Sequence, residues 1–402
     1  MKQSNNRGRT VSRPAINWAP WLGRLCWLSL LAAFVVGLVW RQPDHLLQLQ
    51  EVFPGAEIQR LTEASGEQYR VLDENRALTV SLGQGQGYGG PLVTAVIVDE
   101  RGRLQDTRLV SHKETPGYLF RFADGKFLRQ FRGHMANSDF LLGQGVDALS
   151  GATLTSRGLT SSIRQGAHQA AMRLGLARSW AEPELHVGLK ELLAVLLFVA
   201  AALSRRVPRA YQSRYNRVLS VASVLLIGYW LNSALSIALV GSMLLGYFPS
   251  PAQHPLWYIM LAGTLGSILL LGRNLYCSQL CPFHQIQKWL HRISGLNLAL
   301  HPALKRRGKW LANGLLWLST MLIFLSRTPA MGAYEPFSML FSLDGLGVQW
   351  YLLPLSLLGA FVVSDFWCRL FCPLGRFLTL TLELRARGRR YLPGRLGIGR
   401  RS

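Results

Sequence analysis

Long apolar runs separated by charged segments dominate the pattern along the chain. Six runs carry almost no charge, and each approaches the length that a helix needs to cross a hydrocarbon core of about 30 Å. They cover residues 22–40, 187–203, 218–239, 256–276, 310–325 and 350–367. The pattern predicts a polytopic helical membrane domain of about six transmembrane helices. The piece 240–248 either extends the third span or re-enters the membrane.

The basic residues indicate how these helices are oriented. Lys and Arg are abundant before the first run and after the second, fourth and sixth, whereas the segments between runs three and four and between five and six have almost none. Cytoplasmic loops retain Lys and Arg. We therefore expect a multi-pass protein of a bacterial inner membrane, with both termini in the cytoplasm and segment 41–186 outside it.

The first run follows the basic residues Lys2, Arg7, Arg9 and Arg13, as the apolar part of a signal peptide also would. Its end lacks the small residues of a cleavage site. An uncleaved anchor helix is the favoured interpretation.

The outward segment has a different pattern, typical of an α+β domain. An apolar strand is predicted over 92–98, a hairpin turn over 99–102 and a helix over 157–174 with Ser156 as its N-cap. The predicted organisation is then as follows: a basic cytoplasmic N-terminus (1–21), an anchor helix (22–40), an extracytoplasmic domain (41–186), a five-helix membrane domain (187–376) and a basic cytoplasmic tail (377–402).

The formal net charge of +23 would by itself favour a nucleic-acid partner. The predicted topology accounts for much of it, because the basic residues cluster in the cytoplasmic segments. The Arg-rich tail is better explained by anionic lipid headgroups. Membrane lipid, and not nucleic acid, is the expected partner of these charges.

Four of the five cysteines form two CxxxCP motifs, Cys277 with Cys281 and Cys368 with Cys372. On a continuing helix this spacing places both thiols of a motif on one face. Two such helix ends would bring four thiolates together, which suits an iron–sulfur cluster and, less well, zinc. Cys26 stands alone in the first run and is interpreted as a packing residue. The outward segment has no cysteine, so no disulfide is expected there.

The segment 147–153, Asp-Ala-Leu-Ser-Gly-Ala-Thr, is the most informative part of the outward domain. Gly151 and Ala152 leave room beside the Thr153 hydroxyl, and a helix is predicted to start just after it. A phosphate esterified to Thr153 would be stabilised by the free N–H groups and the dipole of that helix. The alternative is an ordinary helix-capping turn.

This segment resembles the D-x-x-S/T-G-A-T signature of domains that carry FMN through a phosphoester to the final Thr, as in the periplasmic flavin subunits of the Rnf and Nqr complexes. A Gly-rich stretch at 83–91 and the segment 112–117, which resembles the H-x-E-T-P-G sequence that lies over the isoalloxazine in those domains, occur in the matching order. The resemblance implies FMN bound covalently to Thr153 by an ApbE-like flavin transferase. The residues implied for the attachment site and the flavin lining are Asp147, Ser150, Gly151, Ala152, Gly87, Tyr88, Gly89, Gly90, His112, Glu114 and Thr115.

Together with the two CxxxCP motifs, these segments resemble the NosR family and its shorter PceC-like relatives over almost the whole chain. The flanks 272–276 and 366–367 of the two cysteine motifs belong to the resemblance. It implies a 4Fe–4S cluster held by the four cysteines. Longer NosR proteins end in a ferredoxin domain, and this chain ends in an Arg-rich tail instead. The electron donor is therefore expected to be a quinol or a separate cytoplasmic protein.

The resemblance implies transmembrane electron transfer, from that donor through the cluster to FMN and on to an extracytoplasmic reductase. Such a chain is an electron-transfer flavoprotein and does not itself convert a substrate, because the cofactors carry the chemistry. A redox-sensing regulator or maturation factor for a periplasmic reductase is the alternative. A transporter would require paired charges inside the apolar runs, and few are present.

One difficulty accompanies this hypothesis. Cysteines at the cytoplasmic ends of their helices would be separated from an outside flavin by most of the roughly 30 Å core. Either another carrier fills that gap or the cluster lies deeper.

Overall fold

The fold was analysed in a computed structural model. The structure describes residues 19–40, 45–61, 66–73, 76–87, 89–114, 122, 125–143, 145–147, 153–178, 185, 187–252, 254–296, 301–342 and 347–391. An α+β domain with a five-stranded sheet occupies the first half of the chain, and helices occupy the second half.

The sheet is an antiparallel meander, in which each strand pairs with its neighbours in chain order. The strands are β1 (Glu57–Leu61), β2 (Gln68–Asp73), β3 (Arg76–Gln86), β4 (Pro91–Val98) and β5 (Leu104–His112). The predicted turn joins β4 to β5, and there the Asp99 carboxylate accepts hydrogen bonds from the N–H groups of Arg101 and Arg103 at 2.9 and 2.8 Å. Two further strands, β6 (Leu141–Leu142) and β7 (Gly145–Val146), form a small parallel pair.

Strand β4 is buried along its length and apolar except for Thr94, because both of its faces are covered. Leu92, Val96 and Val98 belong to the core beneath a long helix, whereas Val93 and Ile97 belong to the core on the opposite face. Successive side chains of a strand point to opposite faces, so a strand covered on both sides loses the usual alternation of polar and apolar residues. This explains the predominantly apolar sequence of β4.

The helices of the first half are α1 (Ala19–Trp40), α2 (His45–Val52), α3 (Lys126–Arg129) and α4 (Thr153–Arg173). Helix α4 crosses β3 so closely that two glycines are required. A Cβ atom on Gly83 would lie 1.8 Å from the carbonyl oxygen of Ser162, and one on Gly85 would lie 2.0 Å from that of Gly158. These two glycines of the Gly-rich stretch therefore serve helix–strand packing.

The second half is helical. Its α-helices are α5 (Leu189–Leu203), α6 (Arg209–Ser223), α7 (Ile237–Leu244), α8 (Pro255–Leu269), α9 (Pro282–Ser294), α10 (Pro302–Ser326), α11 (Phe337–Ser342), α12 (Gln349–Val362), α13 (Phe366–Leu370) and α14 (Pro373–Tyr391). Two π-helices, Val224–Trp230 and Tyr276–Leu280, and a 3₁₀-helix, Pro329–Gly332, interrupt the series.

Within the described residues, two helical segments are long and apolar enough to span a membrane, Trp21–Val39 and Arg306–Ser326. Helices α8 and α12 are apolar but shorter. The six predicted spans are therefore not all confirmed by helix length and composition. Each apolar run does contain a helix, but several of these helices end earlier than the runs do.

The third apolar run is not one straight helix. Helix α6 continues into the π-helix Val224–Trp230, residues 231–236 are not helical, and α7 then begins at Ile237. Asn232 in this interruption has a left-handed backbone with a φ of 44°. We call residues 231–236 the break segment.

Helix α1 packs along α10. The Trp317 indole N–H donates to Ser29 Oγ at 3.0 Å, and Phe34 stacks edge-on against Phe324 with 5.3 Å between ring centroids. Gly37 approaches the Phe324 carbonyl oxygen so closely that a Cβ atom would lie 2.1 Å from it. The first helix is thus integrated into the helical bundle.

Candidate functional site

Helix α4 begins four residues earlier than the sequence predicts. Its first residue is Thr153, and Ser156 is buried in the first turn and does not precede the helix as an N-cap. The first N–H groups of a helix have no partner within it and favour an anion. The Thr153 side chain and residues Tyr88, Thr115, Ser150, Gly151 and Ala152 lie outside the part of the chain that the structure describes.

Glu114 connects three of the predicted flavin motifs. Its carboxylate is 2% exposed and accepts hydrogen bonds from Thr155 Oγ1 and from the Gly89 N–H, both at 2.9 Å. A Cβ atom on Gly87 would lie 1.8 Å from Glu114 Oε1. The Gly-rich loop, the segment after β5 and the start of α4 therefore meet at one buried carboxylate. Because Glu114 is buried and accepts these hydrogen bonds, its carboxylate points into the interior of the domain.

The other described residues of the predicted site lie around this junction. His112 is exposed at the end of β5, paired with Leu92 in the sheet. Partial desolvation, and then the charge of Lys113, lower the pKa of His112. Asp147 is exposed, and the Gln130 side chain accepts from its N–H at 2.8 Å and donates to its carbonyl oxygen at 3.3 Å. Gln130, which the sequence analysis did not single out, thus positions the start of the attachment segment.

A cavity of ≈ 300 Å³ lies between the α+β domain and the helices, and we call it the interdomain cavity. On the domain side it is lined by Gln86, Gly87, Thr155 and Arg157. On the helical side the lining comes from the starts of α5 and α8, the end of the first π-helix and the whole break segment. These residues include Lys190, Glu191, Tyr229, Trp230, Asn232, Leu235, His254 and Trp257.

His254 is the most buried titratable residue of that lining, at 6% exposure. Its Nε2 has no hydrogen-bond partner among the described residues. Burial, and then the positive charge of Arg157, lower the pKa of His254 from 6.5 to about 4. The imidazole is therefore neutral at neutral pH.

The four cysteines converge, but not on continuing α-helices as predicted. Cys277 lies in the second π-helix, and Cys281 is extended with a ψ of 113° before Pro282 begins α9. Cys368 lies in the short helix α13, and Cys372 follows that helix before Pro373 begins α14. In both motifs the proline stands at the first position of a new helix, where its missing N–H is not needed.

We call residues 255–294 the first hairpin and residues 349–391 the second hairpin. Each hairpin binds the end of the other. Ser294 Oγ donates to the Phe361 carbonyl oxygen at 2.6 Å, and Arg385 donates to the carbonyl oxygens of Leu269 and Leu270 at 2.7 and 3.1 Å. Arg385 lies as far after Cys372 as Ser294 lies after Cys281. The hairpins are thus related by an approximate twofold arrangement in which each satisfies carbonyl groups at a helix end of the other.

Gln287 on α9 joins the two motifs at the cysteines themselves. Its Oε1 accepts from the Trp367 N–H at 2.9 Å, and its Nε2 donates to Cys368 Sγ at 3.4 Å. The Gly375 N–H donates to Cys372 Sγ at 3.2 Å. Such donors stabilise thiolates and tune the potential of a bound cluster.

The chemistry of these residues fits a four-cysteine cluster. Cys368 and Cys372 lie within electrostatic range of the thiols of the first motif, and all four cysteines belong to one apolar core. Among the described residues, no three His, Cys, Asp or Glu side chains are placed to hold a single metal ion.

Two side chains beside the cysteines hold the break segment. The Leu235 N–H donates to Tyr276 Oη at 2.8 Å, and the Ile237 N–H donates to Glu335 Oε1 at 2.8 Å. Tyr276 directly precedes Cys277, and its hydroxyl also faces the Cys281 thiol. Leu235 lines the interdomain cavity. The break segment therefore connects the helix turn that carries Cys277 to the interdomain cavity.

Comparisons with known proteins identify both halves of this site. A family model described as an FMN-binding domain matches residues 87–168, which include the flavin motifs. A model described as a 4Fe–4S binding domain matches residues 253–301 and 351–391, which include all four cysteines. The molecule is thus a flavoprotein that also has a 4Fe–4S binding domain.

Three relatives refine this class. Protein NirI of Paracoccus denitrificans is 28% identical over 207 residues, which are 48% of this chain and 30% of NirI. Regulatory protein NosR of Pseudomonas aeruginosa is 29% identical over 229 residues, 52% of this chain and 31% of NosR. A component of the proton-translocating ferredoxin:NAD(+) oxidoreductase complex of Clostridium ljungdahlii is 31% identical over 91 residues, 21% of this chain and 49% of that component.

The resemblance predicted from the sequence is confirmed: the chain combines an FMN-binding domain with a 4Fe–4S binding domain and is similar to NirI and NosR. The predictions of FMN and of a 4Fe–4S cluster are also confirmed at the level of the two domains. The chain spans less than a third of NirI and of NosR, and about half of the Clostridium ljungdahlii protein.

Proposed function

We propose that this protein carries electrons from a quinol or a cytoplasmic donor, through a 4Fe–4S cluster on Cys277, Cys281, Cys368 and Cys372, to FMN bound covalently to Thr153. The flavin passes them to an extracytoplasmic reductase. An ApbE-like transferase supplies FMN from a flavin dinucleotide: the Thr153 hydroxyl oxygen bonds to the FMN phosphorus, the pyrophosphate bond breaks, a nucleoside monophosphate leaves and the hydroxyl proton passes to solvent. The protein holds the two cofactors at a useful distance and tunes them, and the cofactors supply the redox chemistry.

The observation that carries this proposal is the contact between the two cofactor regions. The interdomain cavity touches Thr155, two residues after Thr153, and also Leu235, whose N–H binds the Tyr276 hydroxyl next to Cys277. A protein that bound the two cofactors without passing electrons between them would not need to place them on opposite sides of the Leu235–Tyr276 hydrogen bond. The arrangement provides a short route for electrons.

The proposed membrane arrangement has about six spans, with the α+β domain outside and both termini in the cytoplasm. Helices α1 and α10 are long and apolar, and α1 packs on α10 at Gly37. Both observations support an uncleaved anchor helix that is part of the helical bundle. The break segment and the loop that carries Glu335 meet inside the helical region. In this arrangement the cluster lies within the membrane domain, on a path from the cytoplasmic side to the outside flavin.

Covalent flavin attachment is tested by in-gel flavin fluorescence after denaturing electrophoresis. Wild type, Thr153→Val and a control, Thr320→Val on α10, are each co-expressed with a flavin transferase. We expect a fluorescent band for wild type and the control and none for Thr153→Val. A dark wild-type band, with a transferase that labels a known substrate, would refute the covalent site.

Electron transfer from the cluster to the flavin is tested on flavin-loaded protein in detergent. A water-soluble quinol or a reduced low-potential carrier should bleach the flavin absorbance of wild type but not that of Cys277→Ser. Dithionite, which reaches the flavin directly, should bleach both. Equal bleaching of both proteins by every donor would show that the cluster is not on the path.

A redox-sensing regulatory role is the second candidate, favoured by the relative that is named Regulatory protein NosR. A sensor binds its partner differently in the oxidised and reduced states and does not need steady turnover. Continuous quinol oxidation with an extracytoplasmic acceptor supports the carrier, and redox-dependent partner binding without turnover supports the sensor.

A further inference from the structure

The interdomain cavity has the position and the lining of a ring-binding site. We infer that the isoalloxazine ring of the FMN on Thr153 lies in this cavity, so that residues of the helical domain complete the flavin site. The inference rests on the covalent attachment proposed above. The cavity volume of ≈ 300 Å³ is at the lower end of the range of small-molecule sites, of the order of 300–1,000 Å³.

The start of α4 brings the attachment point to the cavity. Thr155 and Arg157 both line it, and Arg157 follows Thr153 by one helical turn. Residues four apart share one face of a helix, about 6 Å apart along its axis. A phosphate on Thr153 is then beside the helix N-terminus and within reach of the Arg157 guanidinium. The ribityl chain spans the distance from that phosphate to the cavity.

The opposite wall presents flat aromatic surfaces. Tyr229, Trp230 and Trp257 all belong to the helical domain and line the cavity. The Trp257 ring is itself held edge-on by Tyr258, with 4.8 Å between centroids, and by Phe248 at 6.1 Å. Aromatic rings pack in offset or edge-on geometry against a planar ligand. A tricyclic flavin ring matches this wall better than an aliphatic ligand would.

The same wall offers one buried polar atom without a hydrogen-bond partner among the described residues. His254 is more than nine-tenths buried, and its Nε2 has no partner among the described residues. An unsatisfied buried nitrogen is costly unless a ligand binds it. Because the pKa of His254 is lowered to about 4, this nitrogen is available as a neutral donor or acceptor. The pyrimidine edge of a flavin provides both kinds of partner.

The strained backbone of Asn232 gives a further reason to place a ligand in the interdomain cavity. Its φ of 44° is uncommon for a residue other than glycine, and such strain concentrates at ligand sites. Asn232 lies in the break segment, where the chain has left its helix and lines the cavity. On the far side of the same segment, Leu235 binds Tyr276. A flavin ring in the cavity would therefore be separated from the cysteine motif by only the break segment and one tyrosine.

The first test measures native flavin fluorescence of the full chain in detergent, divided by the covalent flavin that is seen after denaturing electrophoresis. Stacking against tryptophan quenches flavin emission, so wild type should be strongly quenched. Trp257→Leu should raise the normalised emission several-fold. The matched control Trp310→Leu changes an exposed tryptophan on α10 away from the cavity and should leave emission unchanged.

The second test measures the flavin midpoint potential by spectroelectrochemical titration. Asn232→Asp keeps the shape and tolerates the left-handed backbone, but it adds a negative charge beside the ring. We expect a lower potential, because added negative charge disfavours the more electron-rich reduced flavin. Asn313→Asp, next to Arg376 and remote from the cavity, should leave the potential unchanged.

The outcomes separate the inference from the proposed function. No covalent flavin in wild type would refute both. Normal covalent flavin with emission and potential unaffected by both variants would overturn the inference alone. An effect of the same variants on quinol binding, with the flavin unchanged in emission and potential, would assign the cavity to a diffusible quinol and would also overturn it.

Discussion

The two hairpins carry the same CxxxCP motif and bind each other in the same way, yet their surroundings differ. The residue before the motif is Tyr276 in the first hairpin and Trp367 in the second. The Tyr276 hydroxyl reaches out to the break segment, whereas Trp367 stacks on Phe371 with 5.7 Å between centroids. In the proposed function, the parts that the two hairpins share hold the cluster, and the parts that differ determine which side of it faces the flavin.

The turns before the two CxxxCP motifs also combine a shared feature with a difference between the hairpins. Gly272 in the first hairpin has a φ of 66°, and a Cβ atom there would lie 2.1 Å from the Arg385 guanidinium. Asp365 in the second hairpin has a φ of 58°, and its Oδ1 lies 3.3 Å from His284 Nδ1. A left-handed turn is needed in both hairpins. The residue with the left-handed backbone differs with its neighbour from the other hairpin, which is Arg385 beside Gly272 and His284 beside Asp365.

The largest expected effect is loss of the cluster, and it should be the same whichever hairpin is changed. Replacement of one cysteine by serine in either hairpin, as in Cys281→Ser or Cys372→Ser, should abolish the cluster, because each hairpin supplies half of its ligands. Iron content and the visible absorbance of purified protein measure this, with Cys26→Ser as the control that retains both. A full cluster in either hairpin variant would contradict the four-cysteine assignment.

The second prediction separates the hairpins. Tyr276→Phe leaves the buried Leu235 N–H without its partner, at a cost of about 1–3 kcal/mol, and loosens the contact between the cysteines and the cavity. We expect slower flavin reduction through the cluster, with iron content preserved. The matched variant is Tyr334→Phe, whose hydroxyl donates to the Phe371 carbonyl oxygen of the second hairpin. Stopped-flow flavin absorbance measures both, and equal slowing would mean that Tyr276 is not on the route.

The third prediction concerns the N-cap residue that directly precedes each hairpin, which is His254 before the first and Val348 before the second. The folded-state pKa of His254, about 4, lies below its ordinary 6.5, so the unfolded chain binds the proton more readily. Stability should be constant above about pH 6.5 and fall as the pH decreases towards 4, by about 2 kcal/mol at pH 5. Thermal unfolding of flavin-free Thr153→Val protein measures this loss.

His254→Gln in the same background provides the control for that pH dependence. It should remove the part of the loss that His254 causes, about 2 kcal/mol at pH 5. An unchanged profile would show that other groups cause the acid sensitivity.

The smallest effects are expected where the hairpins bind each other's ends. Ser294→Ala removes one hydrogen bond to a helix-end carbonyl group, and Arg385→Gln disrupts two. Each substitution should cost about 1 kcal/mol of unfolding free energy, since water replaces part of each bond. Chemical denaturation in detergent measures both. Similar losses support the twofold arrangement, and a loss confined to one variant would show that only one of these contacts contributes.

Local sequence chemistry predicted much of this molecule. The β4–β5 hairpin follows from an apolar run and an Asp-Glu-Arg-Gly turn, and the flavin and cysteine motifs follow from residue types and spacing that few other structures require. The start of α4 was predicted four residues late because Ser156 is a good N-cap in isolation. Tertiary contacts override it, since Thr155 donates to the buried Glu114 and draws the first turn into the helix.

The amino-acid sequence by itself determined the two cofactor domains and the apolar helices, and it carries the motifs of the proposed cluster ligands and attachment segment, because each motif consists of residues close together in the chain. Only the tertiary structure decided that the third apolar run breaks at 231–236 and that Tyr276, Glu335, Arg157 and His254 gather around that break. These residues come from segments far apart in sequence. Their roles depend on packing and on the hydrogen bonds that a broken helix must find elsewhere, and no local pattern encodes either.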